Sequence, residues 1–241
     1  MTKDGSQDRL DPVEVVQRLR SAGKADRIEA TRSYYPSSQE NLGVYAKDIR
    51  AVVRDCSRRL RAESAAEVLR FARSLIAQDT IEGRQCAYEI LEAHRAAAES
   101  LGRAEFEELM RGVDNWVNAD SLACSLTGQA WREGRLTDSD VEAWSRSEDP
   151  WVRRVALVST VPLNMKSRGG SGDVERTLLA CERALGDSHK IVEKALSWAL
   201  RALVPIDAGA VRGFLKEHES ELPAFVRREV GKKLETGKKS G

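Results

Sequence analysis

A chain of 241 residues that is 41% hydrophobic and 32% charged can bury a sizeable core, as one large domain or one repeat array, and is not a disordered polymer. Its 39 Lys and Arg offset 38 Asp and Glu to a formal net charge of +1, so no global field recruits nucleic acid and any basic surface must be local. Cys56, Cys86, Cys124 and Cys181 form no CxxC and pair with no histidine at ligand spacing, which points to free thiols in a reducing cytoplasm. The first residues, MTKDGSQDRL, are polar, and no stretch reaches the roughly 18 apolar residues of a membrane span. A soluble cytoplasmic protein is expected.

In chain order, apolar residues recur at helical spacing in PVEVVQRLRSAG, AKDIRAVVRDCSRRL, AAEVLRFARSLIAQ and IEGRQCAYEILEAHR, often with Asp, Ser or Thr near the start. Further helices are predicted in FEELMRGV, NADSLACSLTGQAWREG, DSDVEAWSRS, PWVRRVALVSTV, VERTLLACERAL, KIVEKALSWALRAL, AGAVRGFLKEH and PAFVRREVGKKL. No run alternates with period two, so strands are not expected. YYPSSQENLG and MKSRGGSGD carry loop residues. The expected organisation is a flexible N-terminus (1–10), one helical domain (11–235) and a flexible basic tail (236–241).

The helices repeat. WVRRVAL (Trp151 to Leu157) superposes on IVEKALS (Ile191 to Ser197) with Arg154 on Lys194, each preceded by an acidic turn, Asp149 and Asp187; PAFVRREV is a weaker third copy. A period near 40 residues is the mark of HEAT-like helical pairs, which stack because one pair cannot bury its apolar face alone. The fold class expected is therefore all-α, a curved right-handed solenoid of such pairs. Residues at equivalent helix positions, such as Arg154 and Lys194, would line its concave side as a phosphate-spaced stripe.

Trp116 and Asp120 lie four residues apart in VDNWVNADSLAC, and on a helix that spacing places ring and carboxylate on one face. Trp151 and Arg154 in DPWVRRVAL and Trp198 in VEKALSWALR lie on separate amphipathic helices. A ring beside an anion suits a cation.

On these residues the chain resembles the AlkD-type DNA alkylation repair proteins, which are HEAT-repeat DNA glycosylases. The resemblance runs from LGVYAKDIR through WVNAD and WVRRVAL to KALSWALR. It implies that Trp116 and Asp120 are an aromatic wall and the catalytic carboxylate, that Arg154 holds the DNA backbone near the lesion, and that Trp198 forms the opposite wall. The chain departs from the family pattern at Val117, where an acidic residue is usual, and at YAKD, where a Pro is usual.

The implied reaction is hydrolysis of the N-glycosidic bond of cationic N3- and N7-alkylpurines in duplex DNA, without base flipping. The charged base leaves readily, and positive charge then grows on the deoxyribose, where a fixed carboxylate lowers the barrier by about 3 kcal/mol. Aromatic faces add roughly 0.5–2 kcal/mol of attraction for a cation. Arg50, Arg154, Lys194 and Arg201 are the expected DNA-binding residues, Asp120, Trp116 and Trp198 the catalytic set. No metal or organic cofactor is implied. The partner expected is double-stranded DNA containing alkylated purines, met by a monomer that is nucleoid-associated in a prokaryote.

Blander readings compete residue by residue. Any one tryptophan on a helix is usually core, and Trp131 and Trp144 are left as packing. Asp120 has alternatives as a helix cap or as the partner of a neighbouring Arg, Arg154 as the partner of an acid across repeats, and Cys124 as a small buried residue. His94, His189 and His218 are scattered, as surface residues are. Two other functions fit the same face: a catalytically weak module gripping distorted DNA, and a protein-interaction scaffold.

Overall fold

The computed structural model describes residues 10–32, 34 and 36–237. Residues 1–9 of the expected flexible N-terminus and 238–241 of the expected basic tail lie outside the described residues. Among the described residues the protein is all-helical, with no strand and a single isolated bridge between Glu40 and Thr80. No described helix is long and apolar enough to cross a membrane. The chain divides into two compact units, residues 1–100 and 101–241.

The first unit holds α1 (Pro12–Ala22), α2 (Ala25–Arg32), α3 (Ala46–Arg59), α4 (Ala65–Ile76), α5 (Ile81–Ala93) and α6 (Arg95–Ser100). Local chemistry sets the helix starts. The Asp11 carboxylate accepts from the Val13 N–H at 2.9 Å with Pro12 at the first helical position, and Ser64 and Glu67 close a capping box on α4. In α3 the buried residues Ile49, Val52, Val53 and Cys56 form one stripe, leaving the opposite side to charged residues. Helix α5 is buried on most sides, and its Glu82 carboxylate accepts from the Leu42 N–H at 3.0 Å and the Val44 N–H at 3.1 Å. That buried acid pins the LGV segment leading into α3.

The second unit holds α7 (Arg103–Met110), α8 (Trp116–Leu122), α9 (Gly128–Arg132), α10 (Asp138–Ser145), α11 (Pro150–Val158), α12 (Val174–Arg183), α13 (Lys190–Leu203), α14 (Ala208–Glu217) and α15 (Ala224–Thr236). Packing runs in two rows: α8 against α11, α11 against α13 and α13 against α15, with α10, α12 and α14 set against the members of that row. The two rows follow the apolar stripes, because α11 buries Val155, Ala156, Leu157 and Val158 while α13 buries Val192, Ala195, Leu196, Ala199 and Leu200.

Between α8 and α9 the backbone widens into a π-helical stretch, Ala123–Thr127. Beyond it Gly128 meets the chain that leaves α11. A Cβ there would lie 2.2 Å from Pro162 Cγ and 2.7 Å from the Ser159 carbonyl oxygen, so only glycine admits the approach.

The predicted helices coincide with those observed to within a few residues at most ends. Two were not expected. Helix α2 (ADRIEATR) buries only Thr31 and so carries no apolar stripe, and α6 is a six-residue turn of helix started by His94. The predicted loop MKSRGGSGD contains a short 3-10 turn at Lys166–Arg168, closed by Gly169 in the left-handed region at φ 76°. Trp131 and Trp144 are core, with their indole N–H groups donating to Asp138 at 2.7 Å and Glu107 at 3.1 Å.

Candidate active site

Helix α8 begins where Asn115, itself buried, accepts from the Asn118 N–H at 2.9 Å. Asn115, not Asp120, is therefore the cap. Trp116 becomes the first helical residue and Asp120 stands one turn later on the side that meets α11.

From α11, Arg154 answers Asp120 with a two-point grip. Its Nε donates to Oδ1 and its Nη2 to Oδ2, both at 2.8 Å, while Nη1 donates to the Ile191 carbonyl at the start of α13. The Arg154 side chain is 7% exposed and the Asp120 side chain 13%. This is the fork geometry that guanidinium and carboxylate favour, in surroundings where charge–charge attraction is weakly screened. Burial pushes the Asp120 carboxyl above its ordinary value, and the Arg154 charge and hydrogen bonds pull it back down. One arginine thus ties α8, α11 and α13 together at a carboxylate with little access to water.

The other sequence-predicted residues fall into two groups. Trp116 on α8 and Trp198 on α13 are half-buried, as is Trp151 on α11. Lys194 on α13 is exposed and has no ion pair or hydrogen bond among the described residues. Arg201 is occupied: its Nε donates to the Ser197 carbonyl at 3.1 Å and to Ser197 Oγ at 3.2 Å, and its Nη2 lies 3.7 Å from Glu229 on α15. Arg50 lies on α3 of the first unit, exposed and without an ion pair among the described residues. Of the four expected DNA-binding cations, Arg50 and Lys194 are free, whereas Arg154 and Arg201 already hold carboxylates. Although Arg154 and Lys194 occupy equivalent repeat positions, one is buried in an ion pair and the other faces solvent.

Sequence reasoning missed several parts of this site. The Ile191 carbonyl carries no side-chain signal at all. Arg153, next to Arg154, donates from Nε to Asp187 at 2.6 Å and from Nη2 at 3.1 Å, which explains why an acidic turn precedes α13. The π-helical stretch directly after α8 also left no trace in the apolar spacing, and such stretches often mark functional sites. Cys56, Cys86 and Cys181 are free and buried; burial raises each thiol, Cys56 to about 11, so none is a ready nucleophile. Cys124, expected to be buried, is half-buried within the π-helical stretch. Among the described residues no group of His, Cys, Asp and Glu has the makings of a metal site.

The sequence model of the family described as DNA alkylation repair enzyme matches residues 15–234. The chain belongs to the DNA alkylation repair enzyme family. A solved structure described as a predicted DNA alkylation repair enzyme from Enterococcus faecalis is similar to this chain with a TM-score of 0.71 at 15% identity, covering 89% of this chain and 97% of that one. At that identity the likeness speaks to the fold. No curated protein matches the chain in sequence. Membership places this protein in DNA alkylation repair, with DNA as the substrate and an enzymatic role in repair.

Proposed function

We propose that this protein is a monofunctional DNA glycosylase that hydrolyses the N-glycosidic bond of cationic N3- and N7-alkylpurines in duplex DNA. The observation that carries the proposal is the buried pairing of Asp120 with Arg154, with Trp116 one turn before the carboxylate and Trp198 on the helix whose first turn Arg154 also holds. Family membership supports the substrate.

In this reading Asp120 is the catalytic residue. As the bond from sugar C1′ to the purine nitrogen lengthens, the base departs as a neutral molecule and positive charge passes to the deoxyribose. The fixed carboxylate stabilises that charge, and a water adds to C1′ and loses a proton to leave an abasic site. Trp116 and Trp198 flank the sugar and favour a cationic lesion through their ring faces. The carboxylate need not donate a proton, because the alkylated base leaves without one. Neutral damaged bases are therefore poor substrates, and no enclosing pocket for a flipped base is required.

Arg154 serves this carboxylate in two ways. It orients both oxygens, and it holds them ionised against burial. A guanidinium has five N–H donors. Arg154 spends three on Asp120 and Ile191, so the remaining two, on a side chain that is 7% exposed, are those left for a backbone phosphate that reaches the edge of the ion pair. Lys194, Arg201 and Arg50 supply further phosphate contacts, with Arg201 needing release from Glu229 to do so. The two-row packing of the second unit supports a HEAT-like arrangement. Incubation with N7-methylguanine duplex DNA and detection of the free base tests the proposal. DNA retention without base release by the wild-type protein would support the catalytically weak DNA-binding alternative instead.

A further inference from the structure

Asp120 is not the only side chain that ties the α8 segment to α11. Seven residues on, at the end of the π-helical stretch Ala123–Thr127, the Thr127 hydroxyl lies 2.6 Å from the hydroxyl of Ser159, which caps α11. Ser159 Oγ in turn donates to the Val155 carbonyl at 2.7 Å, so its one proton is spent and Thr127 is the donor to Ser159. The relay ends on the backbone of the residue that follows Arg154. Thr127, Ser159 and Val155 are all shut off from solvent, and Gly128, next in the chain, packs its backbone against Ser159 and Pro162.

A π turn is an uncommon conformation, and here the Gly128 N–H closes it by donating to the Ala123 carbonyl five residues back. Such a turn holds one residue more than an α-helix would, and an α-helix advances about 100° per residue. Were Ala123–Thr127 to relax to α-helix with Thr127 and Gly128 still seated on the end of α11, α8 would turn about its axis by roughly that angle. Asp120 would then leave the face that meets Arg154. The phase at which the carboxylate faces α11 is therefore set by whatever keeps the wide turn wide. In this structure that is the contact of Thr127 and Gly128 with Ser159 and Pro162.

Buried hydroxyls need partners in any protein, and that need alone would account for a contact between Thr127 and Ser159. A hydroxyl pair, however, adds little net stability over apolar groups of the same shape, so its physical effect is directional: it fixes where two backbones lie. We infer that Thr127 and Ser159 are positioning residues for the Asp120 carboxylate, their relay keeping the π turn open and so holding Asp120 in the two-point grip of Arg154. The effect on rate rests on the glycosylase reading, whereas the effect on the carboxylate is measurable without substrate.

The test uses the full chain with isotope-labelled aspartate, in which the carboxyl carbon resonance of Asp120 is assigned by its absence from Asp120→Asn. Burial raises this carboxyl while the Arg154 charge and hydrogen bonds lower it, so a loosened grip should move its titration to higher pH. Thr127→Val removes the hydroxyl from a side chain of the same shape, and Thr127→Ser keeps the hydroxyl. Thr177→Val is the control, since it removes a buried hydroxyl of α12 whose bonds run to Asn164 and the Asp173 carbonyl. Thr127→Val should shift the Asp120 titration upward and slow single-turnover base release on the order of tenfold at saturating protein, with duplex affinity unchanged. Ser159→Ala should act in the same direction, and Thr127→Ser should restore both readouts. Thr177→Val should lower the melting temperature and leave titration and rate as in wild type.

An unchanged Asp120 titration in a folded Thr127→Val protein overturns the inference. An equal shift in Thr177→Val likewise overturns it, in favour of a general effect of weakened packing. Loss of a cooperative melt in both Thr127→Val and Ser159→Ala does the same, since the pair would then prop the fold and not the carboxylate. A shifted titration in variants of a protein that releases no base retains the positioning role and removes the glycosylase reading. Base release by wild type with an unmoved titration in the variants does the reverse.

Discussion

Arg154 holds both oxygens of Asp120 at 2.8 Å while its third nitrogen is anchored to the Ile191 carbonyl, so the candidate catalytic carboxylate is a fixed part of a three-helix junction. An acid fixed in this way pays its orientation cost on folding, before any substrate arrives, which is what electrostatic catalysis requires. A buried guanidinium–carboxylate pair can also serve as a structural tie alone, and the two roles differ in how pH and substitution change rate and stability.

The first prediction concerns pH. Because burial raises the Asp120 carboxyl, it takes up a proton at a higher pH than an exposed aspartate would, and protonation removes the charge that faces the sugar. Base release should therefore fall as pH is lowered through a midpoint above the ordinary aspartate value. Single-turnover rates across the acid range in wild type and Asp120→Asn check this, since the acid limb should be absent from the variant. An identical limb in both assigns the titration to another group.

Arg154→Lys keeps the charge and gives up the fork. With fewer hydrogen bonds to the ionised carboxylate, the acid limb should move to higher pH and the rate at neutral pH should fall on the order of tenfold. A purely structural role for Arg154 would lower the melting temperature and leave the limb where it was.

The tryptophans should separate by role. Trp116→Ala and Trp198→Ala should each reduce base release by a few-fold to about 30-fold, matching a cation–π contribution of roughly 0.5–2 kcal/mol, with modest loss of stability. Trp131→Ala, which empties a core position, should instead cost about 3–5 kcal/mol in urea unfolding. Comparable stability losses in all three would place Trp116 and Trp198 in the core.

A linkage prediction tests the tie between α11 and α13. Burial alone would raise the Asp187 carboxyl, but the Arg153 hydrogen bonds, the His189 backbone N–H and the Arg153 charge outweigh it and hold the group below the usual aspartate value. A depressed carboxyl stabilises the fold above its unfolded value and loses that contribution as pH falls through the folded one. Asp187→Asn should thus be less stable than wild type near neutral pH. The difference should shrink toward zero as the pH falls below the ordinary aspartate range. A gap that stays constant with pH assigns the loss to packing.

How far the sequence carried these conclusions depended on what each feature is made of. Helices such as α11 and α13 were legible because their apolar stripes recur at 3.6-residue spacing, whereas α2, with one buried residue, has no stripe to read. Trp116 and Asp120 were found as a pair because four residues on a helix is a spatial statement. The partner of Asp120 was harder. Sequence offered Arg154 both as a phosphate clamp and as the mate of an acid, and only the packing of α8 on α11 brings it to Asp120. The occupied state of Arg201 likewise depends on Glu229 of α15, 28 residues away and invisible to local patterning. The grip of Glu82 on the LGV segment is of the same kind, a contact across 40 and 38 residues between an acid and backbone N–H groups that any sequence would possess.

The most direct test of the catalytic assignment is single-turnover release of N7-methylguanine from duplex DNA by wild type and Asp120→Asn. Asparagine preserves shape and one acceptor for Arg154 while deleting the charge, and melting and duplex titration establish that the variant is folded and binds DNA. The account predicts near-normal binding, no action of either protein on uracil, and a release rate lower in the variant by roughly 10²-fold or more. A folded Asp120→Asn protein that releases the base at the wild-type rate would contradict it.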